Sequence, residues 1–169
     1  MLLRKGFTQS CSDHSLFIKN NVDFFVTVLV YVDDIIVASN DSNGIADIKC
    51  FIDSQFNLKD LGQLKYFLGL EVARSKKGIS ISQRHYALQL LSEAGFLGCK
   101  PATTPMEGNI KLTQEDGEPL KDPKLYRHLI GELLYLTITW PDLSYAVNRL
   151  SQYLANPRTT HHQVVHRVL

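Results

Sequence analysis

The stretch VLVYVDDIIVAS, residues 28–39, sets two adjacent aspartates in the middle of a run that is otherwise almost wholly apolar and β-branched. Residues of this kind favour β-strands, so the run predicts two strands that meet at the aspartates. Ionised carboxylates are costly in an apolar setting unless a cation compensates them. Because no Lys or Arg lies within eight residues of Asp33 or Asp34, we interpret the pair as buried charge that binds a divalent metal ion.

The two carboxylates suit a particular kind of metal chemistry. Oxygen ligands favour Mg²⁺ or Mn²⁺, and two such ions about 4 Å apart can clamp the attacking and leaving oxygens of a phosphoryl transfer. Adjacent residues of a regular strand point to opposite faces, so both aspartates can serve one site only at a tight turn or bulge. Since YVDDI contains no Gly or Asn, we expect backbone strain there. The alternative is an ordinary exposed hairpin tip, where aspartate is a favoured turn residue.

Alternating apolar residues and turn signals predict an α+β chain around this stretch. Both sides of the strand at 24–32 are mainly apolar, which predicts that both of its faces are covered. The expected order begins with three strands at 15–19, 24–32 and 35–39 and a helix at 43–56. A hairpin with a basic SKK tip follows at 64–83, and then a helix at 84–96 with Gly95 as its C-cap.

The sequence changes in composition after residue 99. Four prolines and mixed charges at 100–124 indicate an extended linker or a long surface loop. Helical periodicity then predicts helices over 125–139 and 143–155, and a third from 159 with Thr159 and Thr160 as possible caps. The His161, His162 and His166 group favours a solvated terminal helix over a metal site. The tyrosines of this region are interpreted as core and packing residues, namely Tyr126, Tyr135, Tyr145 and Tyr153.

Composition excludes little. The 169 residues carry a formal net charge of +1, which gives no global argument for binding nucleic acid or a membrane. The three scattered cysteines predict free thiols, and the lack of a long apolar run predicts a soluble, intracellular protein. One local basic patch stands out because no acid lies between residues 72 and 92, and it indicates either phosphate binding or a solvated loop tip; its members are Arg74, Lys76, Lys77, Arg84 and His85.

Several separated motifs then identify a family resemblance. The chain resembles the reverse transcriptase region of the Pol polyprotein of copia-type LTR retrotransposons. The motifs tile nearly all of the chain and include GFTQSCSDHSLFI, LVYVDDIIVAS, FNLKDLGQLKYFLGLEV, ISISQRHYALQLLSEAGF, KPATTPM, YRHLIGELLYLT and PDLSYAVNRLSQY.

The resemblance implies a partial palm followed by a mainly helical thumb and connecting region. Residues 1–82 would form the C-terminal part of the palm, 83–99 the start of the thumb, 100–124 a linker or long loop, and 125–169 a helical segment leading toward an RNase H domain. The expected ligands are Mg²⁺ or Mn²⁺, a dNTP and an RNA or DNA primer-template. No membrane partner is expected, and the family location is the cytoplasm or a virus-like particle.

The resemblance also assigns residue roles. Asp33 would bind the catalytic metal ions with Asp34 beside it, and Tyr31 and Val32 would flank the primer terminus. The expected nucleic-acid contacts are the primer-grip residues Leu68 and Gly69 and the basic side chains Arg74, Lys76, Lys77 and Arg84.

One family aspartate has no counterpart in these 169 residues. The family places a third metal-binding aspartate on an upstream palm strand, together with the fingers, so we expect this chain to be a fragment that is inactive by itself. Asp13, expected near Val30, is a poor substitute because the family does not use it as a ligand. The alternatives are a non-catalytic nucleic-acid-binding remnant, a relic without function and, last, a small metal-dependent nuclease.

Overall fold

The computed structural model describes residues 1–169, and the chain forms two compact units, Met1–Leu64 and Lys65–Leu169. The fold is α+β, with two small antiparallel sheets and five α-helices, as the sequence predicts. The boundary after Leu64 falls inside the range that the family resemblance assigns to the palm. None of the helices has the length and apolar character needed to cross a membrane.

The first unit is a four-stranded sheet with one helix. Its strands lie in chain order in the sheet. The elements are β1 (Thr8–Gln9), β2 (Leu16–Asn20), β3 (Phe25–Tyr31), β4 (Asp34–Ser39) and α1 (Ser42–Phe56), preceded by a 3-10 turn, Leu2–Lys5. Helix α1 begins where the sequence predicts, because the Asp41 side chain caps it by accepting from the backbone N–H groups of Asn43 and Gly44.

Within the first unit, the core lies on one face of this sheet. Val26 and Val28 of β3 are buried in the core of the first unit with Ile48 and Ile52 of α1. The opposite side of β3 carries Phe25, which is 42% exposed. The expectation that both faces of the middle strand are covered is therefore wrong, because a single helix packs on the sheet in this unit.

The second unit joins a small sheet to a helical core. Its sheet is β5 (Tyr66–Phe67), β6 (Leu70–Ser75) and β7 (Gly78–Ser82), in that order, and its helices are α2 (Arg84–Glu93), α3 (Pro123–Leu136), α4 (Ser144–Ser151) and α5 (Thr159–Val168). Fully buried core residues include Tyr126, Ile130, Val147, Leu150 and Val165. Gly95 follows the end of α2 with a φ of +78°, one residue beyond the C-cap Ala94.

The proline-rich segment is a packed loop. Within it Met106 and Leu112 are buried in the helical core, and the Tyr153 hydroxyl donates to the Leu112 carbonyl at 2.7 Å. These contacts hold the segment against the helical core of the second unit, up to Asp122, where α3 begins.

Helix α5 differs from its expectation in two ways. Its N-cap is Arg158, so Thr159 and Thr160 are not the caps, and the His161 ring accepts from the Arg158 backbone N–H at 3.1 Å. His161 is fully buried and stacks on Tyr153 with ring centroids 3.9 Å apart. The solvated terminal helix is therefore wrong, because α5 packs into the core. Among the tyrosines, Tyr126 and Tyr153 are buried as expected, whereas Tyr145 is exposed.

Candidate functional site

The aspartate pair lies at a two-residue turn between β3 and β4. Tyr31 pairs with Asp34 across the strands, which leaves Val32 and Asp33 as the turn. Val32 has a φ of +52°, while Asp33 keeps the ordinary negative φ. This is the sign pattern of a type II′ turn, whose first central position normally takes glycine. The strain expected from the missing glycine is confirmed, because a β-branched residue at positive φ is a clear outlier.

The turn presents its side chains to solvent. Val32 is 85% exposed and Tyr31 is 48% exposed, and Asp33 and Asp34 are exposed as well. The interpretation of the pair as buried charge is therefore wrong. Both aspartates lie at the end of the sheet, and α1 covers the face that carries Ile35 and Val37. Geometry alone is thus compatible with both an exposed metal site and an ordinary hairpin tip.

The two carboxylates could supply part of the ligand set of a metal ion. The ion pairs of the chain involve Asp60, Glu107 and Glu132, so no cationic side chain neutralises Asp33 or Asp34. Mg²⁺ is commonly held by one or two carboxylates together with water and substrate phosphates. The structure does not gather a third carboxylate, His or Cys around the pair. The turn therefore offers two ligands of an incomplete set.

Asp13 does not complete that set. The backbone N–H of Val30 donates to the carbonyl of Ser15 at 2.9 Å, which brings the start of β2 beside the end of β3, near where the sequence predicts. The Asp13 carboxylate instead accepts from the Ser15 hydroxyl and the Ser15 backbone N–H. These hydrogen bonds hold the pKa of Asp13 below its usual value, so the carboxylate already has local partners.

A second strained turn joins β5 to β6. Phe67 pairs with Leu70, and the two residues between them, Leu68 and Gly69, both have positive φ, +49° and +81°. The Tyr135 hydroxyl of α3 donates to the Leu68 carbonyl. A Cβ added to Gly69 would lie 3.4 Å from the Tyr135 ring. This turn is therefore held by Tyr135, which lies 67 residues after Leu68 in the chain.

Sequence reasoning missed the residues that support this turn. Gln83 is fully buried, donates to the Tyr135 carbonyl at 3.1 Å and accepts from the Thr139 hydroxyl at 2.8 Å. Tyr86 also contacts Tyr135 edge to face, at 5.1 Å between ring centroids. The one available signal was a polar residue between a strand and an apolar helix, which is too common to identify a buried contact.

The basic patch occupies the β6–β7 hairpin and the start of α2. Ser75 pairs with Gly78, so Lys76 and Lys77 form the turn. Arg74, Lys76, Lys77, Arg84 and His85 are all exposed. The Glu71 carboxylate accepts from the backbone N–H of His85 at 2.8 Å, so one acid lies at the base of the patch. The cationic tip itself points its charge to solvent.

Comparison with known proteins agrees with the motifs. Residues 1–108 match the family model described as reverse transcriptase (RNA-dependent DNA polymerase). The chain is 44% identical over 168 residues to the retrovirus-related Pol polyprotein from transposon RE2 of Arabidopsis thaliana, covering 99% of this chain and 12% of that protein. The polyprotein from transposon RE1 of the same plant matches with the same identity and coverage.

A relative shorter than the polyproteins also matches most of this chain. The uncharacterized mitochondrial protein AtMg00810 of Arabidopsis thaliana is 38% identical over 143 residues, which is 84% of this chain and 59% of that protein. No solved structure gives a significant match. The family model covers well over half of the chain, and the polyprotein matches cover 99% of it. This chain therefore belongs to the reverse transcriptase family and corresponds to the reverse transcriptase region of retrotransposon Pol polyproteins.

Proposed function

We propose that this chain supplies the metal-binding turn and primer-contacting hairpins of a copia-type RNA-directed DNA polymerase. The reaction adds a dNTP to a primer 3′-OH on an RNA or DNA template. The observation that carries the proposal is the Val32 turn, whose φ of +52° sets two carboxylates without cationic partners at the exposed end of a sheet. Backbone strain of this kind is typical of functional sites, whereas glycine is the usual residue at this position of a hairpin turn.

The side chains at this turn would bind the metal ions and contact the primer terminus. Asp33 and Asp34 would hold Mg²⁺ or Mn²⁺ through carboxylate oxygens, and Tyr31 and Val32 would offer an exposed apolar surface to the primer terminus. When bound, the metal ions supply positive charge to the attacking and leaving oxygens of the transfer. The third carboxylate of the family site is expected from a segment upstream of this region.

The second unit would contribute nucleic-acid contacts. The Leu68–Gly69 turn would contact the primer backbone, with Tyr135 supporting it on the side that a Gly69 Cβ would occupy. Arg74, Lys76, Lys77 and Arg84 are exposed cations that can bind phosphates. In this proposal residues 1–82 form the C-terminal palm, 83–99 begin the thumb, 100–124 connect, and 125–169 lead toward an RNase H domain. The protein would act in the cytoplasm or in a virus-like particle.

A chimeric polyprotein tests the catalytic role. This chain would replace the matching segment of the RE1 polyprotein, and reverse transcription would be measured with a primed RNA template. We expect Asp33→Asn to abolish synthesis, because a metal ligand is lost. The matched control is Asp23→Asn, an exposed aspartate just before β3, which should leave synthesis unchanged. Equal activity of the Asp33→Asn chimera and its parent would contradict the proposal.

The isolated chain gives a complementary test. We expect it to incorporate no nucleotide in a primer-extension assay with Mg²⁺ or Mn²⁺, because the third carboxylate is expected elsewhere. Template-dependent synthesis that Asp33→Ala abolishes would overturn this expectation. Degradation of a labelled strand in Mn²⁺ would instead favour the nuclease.

The exposed basic hairpin favours a second candidate, a non-catalytic nucleic-acid-binding remnant. Binding of the isolated chain to a labelled primer-template duplex would be measured by fluorescence anisotropy over a range of salt concentrations. Changing both Lys76 and Lys77 to Ala should weaken binding and reduce the salt slope by about one to two units. The control changes Lys111 and Lys121 to Ala, which removes the same charge elsewhere. Equal effects of the two double variants would rule out a specific role for the hairpin.

A further inference from the structure

Two carboxylates and an imidazole meet between α2 and α3, within the second unit. Glu93 is the last residue of α2, and His128 and Glu132 lie one turn apart on α3. One ligand atom from each side chain lies within 4.8 Å of the other two. No other group of three acid, His or Cys side chains in residues 1–169 comes this close.

The helix spacing explains half of this arrangement. Residues four apart on a helix lie on the same face, and His128 Nε2 is 3.5 Å from Glu132 Oε2. Glu93 arrives from the neighbouring helix, and its Oε1 accepts from Gln89 Nε2 at 2.8 Å. That hydrogen bond orients the Glu93 carboxylate and leaves its second oxygen available.

The three side chains lie at an open cleft. They line a cavity of about 280 Å³ together with His166 and apolar side chains such as Leu125 and Leu129. The Glu132 side chain is only 17% exposed, whereas that of His128 is 64% exposed. A partly buried carboxylate beside a second carboxylate is unfavourable without a compensating charge. No Lys or Arg side chain forms an ion pair with either glutamate.

We propose that Glu93, His128 and Glu132 form a binding site for a divalent transition metal such as Zn²⁺, separate from the aspartate turn. One imidazole nitrogen and two carboxylate oxygens make a three-ligand set, and three protein ligands with water in the fourth position is the pattern of open zinc sites. The nitrogen ligand also favours Zn²⁺, Co²⁺ or Ni²⁺ over Mg²⁺. Because the ligands come from two helices, the bound ion would tie the end of α2 to α3.

The site is independent of the polymerase proposal, since it uses none of the residues assigned to that chemistry. The alternative is a simple His128–Glu132 ion pair with Glu93 nearby. An ion pair needs no metal and predicts that added Zn²⁺ binds no better to the parent chain than to variants at these positions.

Zinc titration of the full chain tests the site. Isothermal calorimetry with ZnCl₂ in a non-chelating buffer should give one ion per chain, and thermal unfolding should shift upward in its presence. His128→Ala and Glu93→Gln, both at exposed positions, should each weaken binding at least about tenfold. The matched control is His14→Ala, an exposed histidine in the first unit, which should leave the affinity unchanged. Circular dichroism of each variant confirms folding.

The absorption spectrum of bound Co²⁺ distinguishes metal binding at this site from metal binding by the free thiols Cys11, Cys50 and Cys99. Co²⁺ bound by nitrogen and oxygen ligands gives ligand-field bands without the thiolate charge-transfer band, and Zn²⁺ should displace it. A thiolate band, an affinity unaffected by His128→Ala and Glu93→Gln, or no measurable zinc binding would each overturn the proposal.

Discussion

Val32 adopts a backbone conformation that its side chain opposes. A β-branched residue at a φ of +52° crowds its Cβ against the backbone, at a cost of roughly 1–2 kcal/mol. The cost persists because Tyr31 and Asp34 pair directly on either side of the turn, which leaves two residues to reverse the chain. Strain kept at a solvent-exposed tip is typical of a functional site.

Replacing Val32 with Gly tests the strain directly. Glycine adopts positive φ freely but loses more conformational entropy on folding, so Val32→Gly should be neutral to stabilising, by up to about 1 kcal/mol. The free energy of unfolding is measured by urea titration. The control is Val22→Gly, since Val22 is 96% exposed in the β2–β3 turn and has no positive φ. Val22→Gly should be neutral or destabilising, and a larger loss for Val32→Gly would contradict the strain.

Helix α5 shows how an element buries groups that titrate near neutral pH. His162 and His166 form a ring contact with centroids 4.1 Å apart. Burial lowers the pKa of both imidazoles, and the neighbouring His162 lowers that of His166 further. His162 Nε2 is buried without a hydrogen-bond partner. The neutral form of this pair is therefore the one that the folded helix accommodates.

This burial predicts a loss of stability in acid. A histidine with a lowered pKa in the folded state takes up a proton more readily when unfolded, so the folded state is penalised as pH falls below about 6.5. The melting temperature should fall between pH 7.5 and pH 5.5, and it should fall less in a variant with His162 and His166 both changed to Asn than in the parent chain. His14→Asn serves as the exposed control. An equal acid-induced drop in the parent and the double variant would contradict the prediction.

On the scale of the whole molecule, the two units have separate cores. Leu2, Phe7, Val26, Val28, Ile48 and Ile52 form one cluster, and a larger cluster in the second unit includes Leu90, Tyr126, Leu133, Leu150 and Val165. Segments with their own buried cores can fold independently. The second unit, with four helices and a three-stranded sheet, has the larger core.

We expect residues 65–169 to fold without the first unit. The isolated segment should show helical circular dichroism and cooperative thermal unfolding. Leu150→Ala removes a fully buried side chain and should cost about 2–5 kcal/mol both in the segment and in the full chain. A disordered spectrum, or a cost confined to the full chain, would show that the second unit depends on the first.

The sequence predicted local features better than packing. Alternation and turn signals located β2 to β4 and α1 within a residue or two, because the periodicity of strands and helices is visible in residues that are close together in the sequence. The burial of Asp33 and Asp34 was misjudged, since apolar neighbours along the chain do not reveal which sheet face is covered. Glu93 and His128 are 35 positions apart, so their meeting depends on helix docking that no local pattern records.

The short turn at the aspartates also limits which insertions the chain can tolerate. Side chains alternate along β4, with Ile35 and Val37 packed on the core of the first unit and Asp34, Ile36 and Ala38 on the alternate positions. One residue added between Val32 and Asp33 would either widen the loop or shift β4 by one place, and a shift would exchange these two sets. Asp34 would then take a position on the core side, and Ile35 and Val37 would no longer pack against the core of the first unit. The spacing from Tyr31 to Asp34 is thus set jointly by the exposed acids and by the hydrophobic side of the sheet behind them.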